Sequence, residues 1–320
     1  MNFLDKPVVS PTEQADLDRL RELMRQWCGV HLDDSKNYLM RNRLSELLVE
    51  LKIDGLSQLI ALTRGAGNSA VRDRIVDVLT THETLFFRDS TPFDAITGQI
   101  LPAIRKAAGT GRPRLRIWSA ACSTGQEPYS LAMALVETLP DLAGWDVSID
   151  ATDVSAGSIK QAIAGEYLDH EISRGLSLHR RMRHFTPNNA RWRINENLRK
   201  MVRFRVDNLL APNPGCQQYD LILCRNVAIY FTVEDRNRIF ENMSGRLTGE
   251  GYLFVGCSEV LSNLSHVLTS QRVNGATCYR PVRSASGATM PISLSSSVTP
   301  RGSVSLGSGL SGGASLSGNS

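Results

Sequence analysis

Several stretches of this 320-residue sequence combine residue types that can hold or activate a ligand. The first, Ser119-Ala120-Ala121-Cys122-Ser123-Thr124-Gly125-Gln126-Glu127-Pro128, sets small residues and then a carboxylate between a strand-like run and a helical one. Small residues let a backbone approach a ligand closely, and Glu127 stands at the mouth of the first helical turn. With one glycine the loop lacks a G-x-G-x-x-G fingerprint, and it reads equally as an ordinary strand-to-helix turn. The second is Asp153, just past the next strand-like run. A carboxylate there can accept from both ribose hydroxyls of an adenosine cofactor, or it can cap the following helix. Two further stretches are Thr80 to Asp89, with His82, Thr84 and Arg88, and Asp220 to Phe231, where an apolar strand runs into Arg225-Asn226 and then Tyr230-Phe231. By residue type alone, Phe86, Phe87 and Phe231 are packing residues and Arg88 is a candidate surface ion pair.

The elements that must carry these residues show in the hydrophobic periods. Ser10-Pro11-Thr12-Glu13 reads as a capping box with proline at the first helical position, followed by Leu17, Leu20, Met24 and Trp27 at helical spacing. A second helix follows Asp33-Asp34, with Leu44, Leu47, Leu48 and Leu51 as its apolar face, Lys36, Arg41 and Arg43 toward its start, and an end at Asp54-Gly55. Helical patterns around Leu59 to Leu62 and Val71 to Leu79 complete a small bundle. After Pro113 the period changes. Strand candidates are Leu115–Trp118, Val147–Ala151, Val202–Val206, Leu221–Cys224 and Tyr252–Gly256, and helices fit at Pro128–Leu139, Ser155–Gly165 and Thr232–Leu247. Such alternation predicts an α/β domain with an open, mostly parallel sheet covered on both faces, which binds ligands at the carboxyl ends of its strands.

Composition narrows the classes. With 42% hydrophobic residues the chain can bury a full core, and no apolar run approaches the roughly 18 to 20 residues of a membrane span. The N-terminus has no signal pattern, so the expectation is a cytoplasmic protein without direct membrane insertion. Six dispersed cysteines, without C-x-x-C pairs or histidines at ligand spacing, predict buried thiols and no metal site. The net charge of +4 is unevenly spread: from His170 to Arg205 there are ten Arg or Lys residues against Glu171 and Glu196, a candidate docking surface for an acidic partner, which Arg41 and Arg43 could extend. From Ser284 on, 20 of 37 residues are Ser or Gly, and this tail is expected to be disordered.

Four motifs, in order, decide between these open readings. Thr84-x-Phe86-Phe87-Arg88, Ser119-Ala120-Ala121-x-Ser123-Thr124-Gly125-x-Glu127-Pro128-Tyr129-Ser130, Cys224-Arg225-Asn226-Val227-x-Ile229-Tyr230-Phe231 and Gly256-x-Ser258-Glu259 resemble the CheR-type chemotaxis protein-glutamate O-methyltransferases, over roughly Thr12 to Pro281. The resemblance implies a class I methyltransferase (Rossmann-like) sheet, an N-terminal all-α domain and a small inserted antiparallel β subdomain. It places the helical domain at 1–85, the S-adenosylmethionine-binding domain at 86–283 with the basic subdomain at about 170–206, and the tail at 284–320. It implies methyl transfer from S-adenosyl-L-methionine to glutamates in the cytoplasmic helical domain of methyl-accepting chemotaxis receptors. Carried over by position, His82, Thr84, Arg88, Glu127, Asp153, Asn208, Leu209, Arg225 and Asn226 contact the cofactor, with Asp153 on the ribose. Arg88 and Tyr230 stand beside the sulfonium and the incoming carboxylate. His82 departs from the asparagine often found there. Some members clamp a receptor's C-terminal tail with a glycine-containing loop, but His184 to Arg193 has no glycine, so no such clamp is expected.

A glutamate carboxylate is already ionised near neutral pH, so in-line displacement at a sulfonium needs no general base. The work is to bring the carboxylate to about 3 to 3.5 Å from the methyl carbon and remove its water. Two other classes remain open. A nucleic-acid methyltransferase would share the sheet and could use the basic stretch on phosphates, although Cys224-Arg225-Asn226-Val227 stands where amino-group methylation of bases generally has Asn or Asp, Pro, Pro and an aromatic. A non-catalytic cofactor-binding adaptor would have no need of both Arg88 and Tyr230.

Overall fold

Ser10 Oγ accepts the Glu13 N–H at 3.2 Å and Pro11 occupies the first helical position, so α1 (Pro11–Cys28) begins where the sequence signals it. The reciprocal half of the expected capping box gives way to another contact, because Glu13 takes the Nε of Arg41 at 2.8 Å. This computed structural model describes residues 10–65, 68–211 and 217–282; the Ser/Gly-rich segment and Cys216 lie outside them.

A short turn capped by Asp33 leads into α2 (Asn37–Leu51), which ends before the expected Asp54-Gly55, with Lys52 left-handed after it. α3 (Leu56–Leu62) and α4 (Ser69–Leu79) complete the bundle. Leu17, Leu20, Met24, Leu44 and Leu59 are fully or almost fully buried at its centre, each contributing roughly 1.5–3 kcal/mol by leaving water. Arg43 donates to the carbonyls of Leu79 and Thr80 at 3.2 and 2.9 Å, at the C-terminal end of α4. Neither Arg41 nor Arg43 is therefore a free docking cation: one is paired with Glu13, the other caps a helix.

A helix broken by one wide turn, α5 (Thr91–Ala95) and α6 (Leu101–Ala108), leads into the sheet domain. There follow β1 (Arg114–Ala120), α7 (Gln126–Thr138), β2 (Asp146–Asp153), α8 (Ala156–Ala164), β3 (Glu166–Tyr167), α9 (Asp169–Ser173), α10 (Leu178–His184), β4 (Phe185–Asn188), β5 (Arg191–Ile194), α11 (Glu196–Arg199), β6 (Val202–Val206), β7 (Tyr219–Cys224), α12 (Val233–Ser244), β8 (Leu247–Val255), β9 (Leu268–Val273) and β10 (Ala276–Pro281). The main sheet runs β6-β2-β1-β7-β8-β10-β9, parallel through β8, with β10 antiparallel to both β8 and β9. Four of the five strand runs read from the sequence lie within it, and the fifth, Tyr252–Gly256, overruns β8 by Gly256. A separate antiparallel sheet, β3-β5-β4, is the inserted subdomain; it starts at Glu166, and β6 belongs to the main sheet.

The parallel order sends the ends of β1, β2, β6, β7 and β8 to one edge, where a doubly wound sheet binds its ligands. The single glycine of the β1–α7 loop secures this edge by packing. Gly125 has φ +95, and a Cβ there would lie 2.9 Å from the Cβ of Ala162 in α8 and 3.1 Å from the Tyr167 hydroxyl. Replacing Gly125 with Ala combines a disfavoured left-handed residue with overpacking and should destabilise the protein by about 2 kcal/mol. Urea denaturation checks this, and an unchanged midpoint with an unchanged slope would rule it out.

Candidate active site

The β1–α7 loop holds its shape through backbone conformation and one buried carboxylate. Ala121 and Ser123 have positive φ of 57 and 51, and the Ser123 N–H donates to Asp153 Oδ2 at 2.8 Å. The other oxygen, Oδ1, accepts the Ser155 N–H at 2.9 Å, while Ser155 itself caps α8 through Ser158 N. Asp153 thus joins the ends of β1 and β2, and the capping role open to it falls to its neighbour. Burial pushes its carboxyl above the ordinary range; the two backbone N–H groups oppose the shift without cancelling it. In the first turn of α7, Glu127 accepts from Ser119 Oγ at 2.7 Å and from Arg225 at 3.1 Å.

Arg225 follows β7 directly, and its side chain is 2% exposed. It donates to Glu127, to Asp89 Oδ2 at 2.9 Å and to the Arg88 carbonyl at 2.6 Å. Asn226, at φ +59, comes next. The turn beyond it is held by Glu259, a buried residue whose oxygens accept the N–H groups of Asn226 and Ala228 at 2.8 Å each and of Gly256 at 2.6 Å. Any Cβ on Gly256 would sit 2.7 Å from the Asn226 amide and 2.8 Å from Glu259, so the glycine is needed for close approach. The sequence carried the signal in Gly256-x-Ser258-Glu259, but nothing in the spacing said that the carboxylate would cap the turn bearing Tyr230. Asp89 was missed in the same way.

The segment from Thr80 to Arg88 crosses between bundle and sheet. His82 uses both ring nitrogens on the protein, Nε2 to the Asp77 carbonyl at 2.7 Å and Nδ1 to Ser158 Oγ at 2.9 Å, and its carbonyl accepts from Ser123 Oγ at 2.9 Å. Its ring is therefore a structural clip, which leaves little of it for a ligand. Arg88 is half-buried, and its guanidinium donates to the Glu83 carbonyl at 3.2 Å without a carboxylate partner among the described residues. Tyr230 packs against the bundle core, and its carbonyl accepts the His31 N–H at 2.8 Å; among the described residues no group hydrogen-bonds its hydroxyl. Asn208 also spends its amide within the protein, on the Trp27 carbonyl at 2.9 Å and the Leu210 N–H at 3.0 Å.

Between these segments lies a cleft of about 460 Å³, within the size range of small-molecule sites. All ten residues singled out from the sequence line it: His82, Thr84, Arg88, Glu127, Asp153, Asn208, Leu209, Arg225, Asn226 and Tyr230. The side chains divide by use. Those of His82, Asn208 and Arg225 are committed to the protein, whereas Arg88 and the Tyr230 hydroxyl retain donors for a ligand and Asp153 retains lone pairs. Among the described residues no cluster of His, Cys, Asp and Glu could hold a metal. Cys28 and Cys122 line the cleft as well, and burial raises both thiols, Cys28 to about 11, so they are protonated near neutral pH.

The basic stretch is less open than its composition suggested. Arg174, Arg180, Arg181, Arg193, Arg199, Arg203 and Arg205 each pair with a carboxylate, and Arg180 also lies 3.7 Å from the centre of the Phe87 ring. Arg183, Arg191 and Lys200 remain as exposed cations without an ion-pair partner among the described residues. The stretch is mainly a set of locally compensated pairs, and it braces the subdomain.

The family model described as CheR methyltransferase, SAM binding domain, matches residues 82–275, and that described as CheR methyltransferase, all-alpha domain, matches 15–80. A chemotaxis protein methyltransferase of Vibrio parahaemolyticus is 38% identical over 275 residues, covering 85% of this chain and 98% of its own. Chemotaxis protein methyltransferase 1 of Pseudomonas aeruginosa is 41% identical over 254 residues, covering 78% and 92%. With the all-alpha model matched first along the chain, the SAM-binding model directly after it and relatives 38–41% identical over most of both chains, the chain belongs to the CheR methyltransferase family.

Proposed function

We propose that this protein transfers a methyl group from S-adenosylmethionine to glutamate side chains of methyl-accepting chemoreceptors, within their cytoplasmic helical domain, as part of chemotactic adaptation. One observation carries the reading: the same cleft is lined by the carboxylates Glu127 and Asp153, by an arginine, Arg88, without a carboxylate partner among the described residues, and by Tyr230, whose hydroxyl has no hydrogen-bond partner among them. A site built to deprotonate a nucleophile would need a free base. This one offers a cation, which suits a nucleophile that is already an anion.

The residues fit the cofactor. Asp153 keeps lone pairs for the ribose hydroxyls after taking two backbone N–H groups. Glu127, partly neutralised by Arg225, faces the same cleft and suits a ligand carrying ammonium and sulfonium charge. When bound, S-adenosylmethionine supplies an electrophilic methyl carbon. The chain's own part is orientation. Arg88 holds the incoming carboxylate through charge-assisted hydrogen bonds, and Tyr230 directs its hydroxyl to the sulfonium side or to one carboxylate oxygen. His82, Arg225, Asn208 and Glu259 keep the cleft walls in place. The helical domain, taken as 1–85, closes one side of the cleft, the methyltransferase domain over 86–283 forms the other, and Arg183, Arg191 and Lys200 are the cations left to steer an acidic helix. Among the described residues no helix is long and apolar enough to cross a membrane, in keeping with action in the cytoplasm.

Three outcomes follow. Arg88→Ala should lower methyl transfer to purified receptor cytoplasmic domains by about 100-fold or more, while affinity for S-adenosylhomocysteine changes only a few-fold, because the lost bonds belong to the second substrate. Base-labile radiolabel reads the transfer and calorimetry the affinity; near-normal turnover would remove Arg88 from this role. The raised carboxyl of Asp153 adds a pH dependence. Ribose hydroxyls donate more strongly to the ionised carboxylate than to its protonated form, which has lost acceptor capacity, so S-adenosylhomocysteine affinity should weaken on acidification, starting above the pH range of an ordinary aspartate. A calorimetric titration that stays flat down to that range would contradict the ribose contact. Finally, β4 and β5 are joined by Asn189-Ala190 without a glycine. The enzyme should therefore show no tight binding of a receptor C-terminal peptide by fluorescence anisotropy.

A further inference from the structure

The amino-terminal ends of the strands carry a second concave site. The first residue of β1 is Arg114, and from it to the cleft at the far end of the strand is roughly 20 Å of extended chain. Arg114, Arg116, Arg203 and Arg246 converge there with Gln217 and Gln218 around a pocket of about 570 Å³ that has no carboxylate in its lining.

Two of these arginines are held from behind. Asp150, whose side chain is 5% exposed, accepts Arg203 Nε at 2.9 Å through one oxygen, and Gln217 Nε2 at 3.1 Å and the Tyr219 hydroxyl at 3.0 Å through the other. Donation through Nε fixes the guanidinium plane and leaves both terminal nitrogens for the pocket, where the Arg203 side chain is 63% exposed. Arg246 lies over the buried Trp118 ring, 5.2 Å from its centre. Arg116 turns part of its fork to Asp146, and Arg114 stands exposed at the mouth without an ion-pair partner among the described residues. A solvated surface of compensated pairs would have its carboxylates beside its arginines. Here Asp150 lies beneath Arg203 and Asp146 takes Arg116 at the rim, and no carboxylate lines the pocket itself.

We propose that this pocket binds a small polyanion through a pyrophosphate-type group, either free or carried by a nucleotide. Planar guanidinium forks match phosphate oxygens two at a time, and the glutamine amides add neutral donors. Convergence of four arginines on one concavity, in place of a stripe along the surface, favours a compact ligand over a nucleic-acid strand. The site is independent of the methyl-transfer reading, since it shares no residue with the cleft.

Calorimetric titration of the full-length protein with inorganic pyrophosphate, and separately with ATP, tests the proposal. Arg203→Gln and Arg114→Gln should each weaken binding by about tenfold, in line with the loss of one charge-assisted contact, while S-adenosylhomocysteine affinity stays unchanged. Equal affinities for the two probes assign the site to the phosphate group alone; tighter ATP binding assigns it to a nucleotide. Asp150→Asn, which releases the Arg203 plane without removing a pocket cation, should also weaken binding. Absence of binding, or binding that neither arginine variant alters, overturns the proposal.

Discussion

Three segments that border the cleft are tied to one another through the guanidinium of Arg225. A cation with 2% of its side chain exposed is costly to bury, and Glu127, Asp89 and the Arg88 carbonyl together compensate it. Removing one partner of such a group typically costs about 3–5 kcal/mol, because the charge left behind has no water to turn to. Here the loss would also leave two carboxylates facing each other. Through these bonds the end of β7, the first turn of α7 and the segment entering α5 keep fixed separations. Arg88, without a carboxylate partner among the described residues, is adjacent in sequence to Asp89, which is committed to Arg225.

The bundle is joined to this hub by a different kind of contact. Asp77, at the end of α4, accepts from Ser155 Oγ at 2.7 Å and Gly157 N at 3.2 Å, which sets a carboxylate against the N-terminus of α8. A Cβ on Gly157 would lie 2.8 Å from that carboxylate, so the approach depends on glycine. His82 adds its bond to Ser158, Asn208 its bond to the Trp27 carbonyl, and the Tyr230 carbonyl takes the His31 N–H. Both faces of the cleft are thus linked by polar bonds that touch cleft-lining residues. Under the proposed reading, the two family domains make one active site because neither can hold its own wall without the other.

Much of this was legible in the sequence, for identifiable reasons. The central strands β1 and β7 are largely buried and write mainly apolar runs, while the edge strand β6 shows as apolar residues alternating with arginines; α1 announces itself through Ser10 and Pro11 because capping is local. Residues that line the cleft were found because their motifs are contiguous. What could not be read was which side chains the protein uses itself. His82, Asn208 and Arg225 carry good ligand chemistry in one dimension, and only the fold shows their polar atoms taken by Asp77, Ser158, Trp27, Glu127 and Asp89. The basic stretch misled in the same way. Its compensating carboxylates include Glu83, Glu137 and Asp150 from distant parts of the chain, and Glu166 and Asp207 from just beyond its ends. Glu259 was visible as a motif residue and silent as to purpose, since capping a turn 31 to 33 residues away is a tertiary event.

The backbone around the cleft carries the same logic. Of the non-glycine residues with positive φ, Phe87, Asp89, Ala121, Ser123 and Asn226 all fall in the segments that border the site, and each such conformation costs about 1 kcal/mol or more. The surroundings over-determine them. Phe87 N donates to Ser130 Oγ at 2.9 Å, Ser123 N to Asp153, Asn226 N to Glu259, and Asp89 receives Arg225. In these four cases a side chain elsewhere fixes the strained residue. Such turns place carbonyls and small side chains on the wall where a regular strand or helix would have ended, and they let Arg88 be fixed at its backbone while its guanidinium stays available. A nucleophile that is already charged asks little of an enzyme in proton chemistry and much in position. Under the proposed reading, a cleft whose walls are tied by these bonds, with Arg88 lacking a carboxylate partner among the described residues, answers that demand.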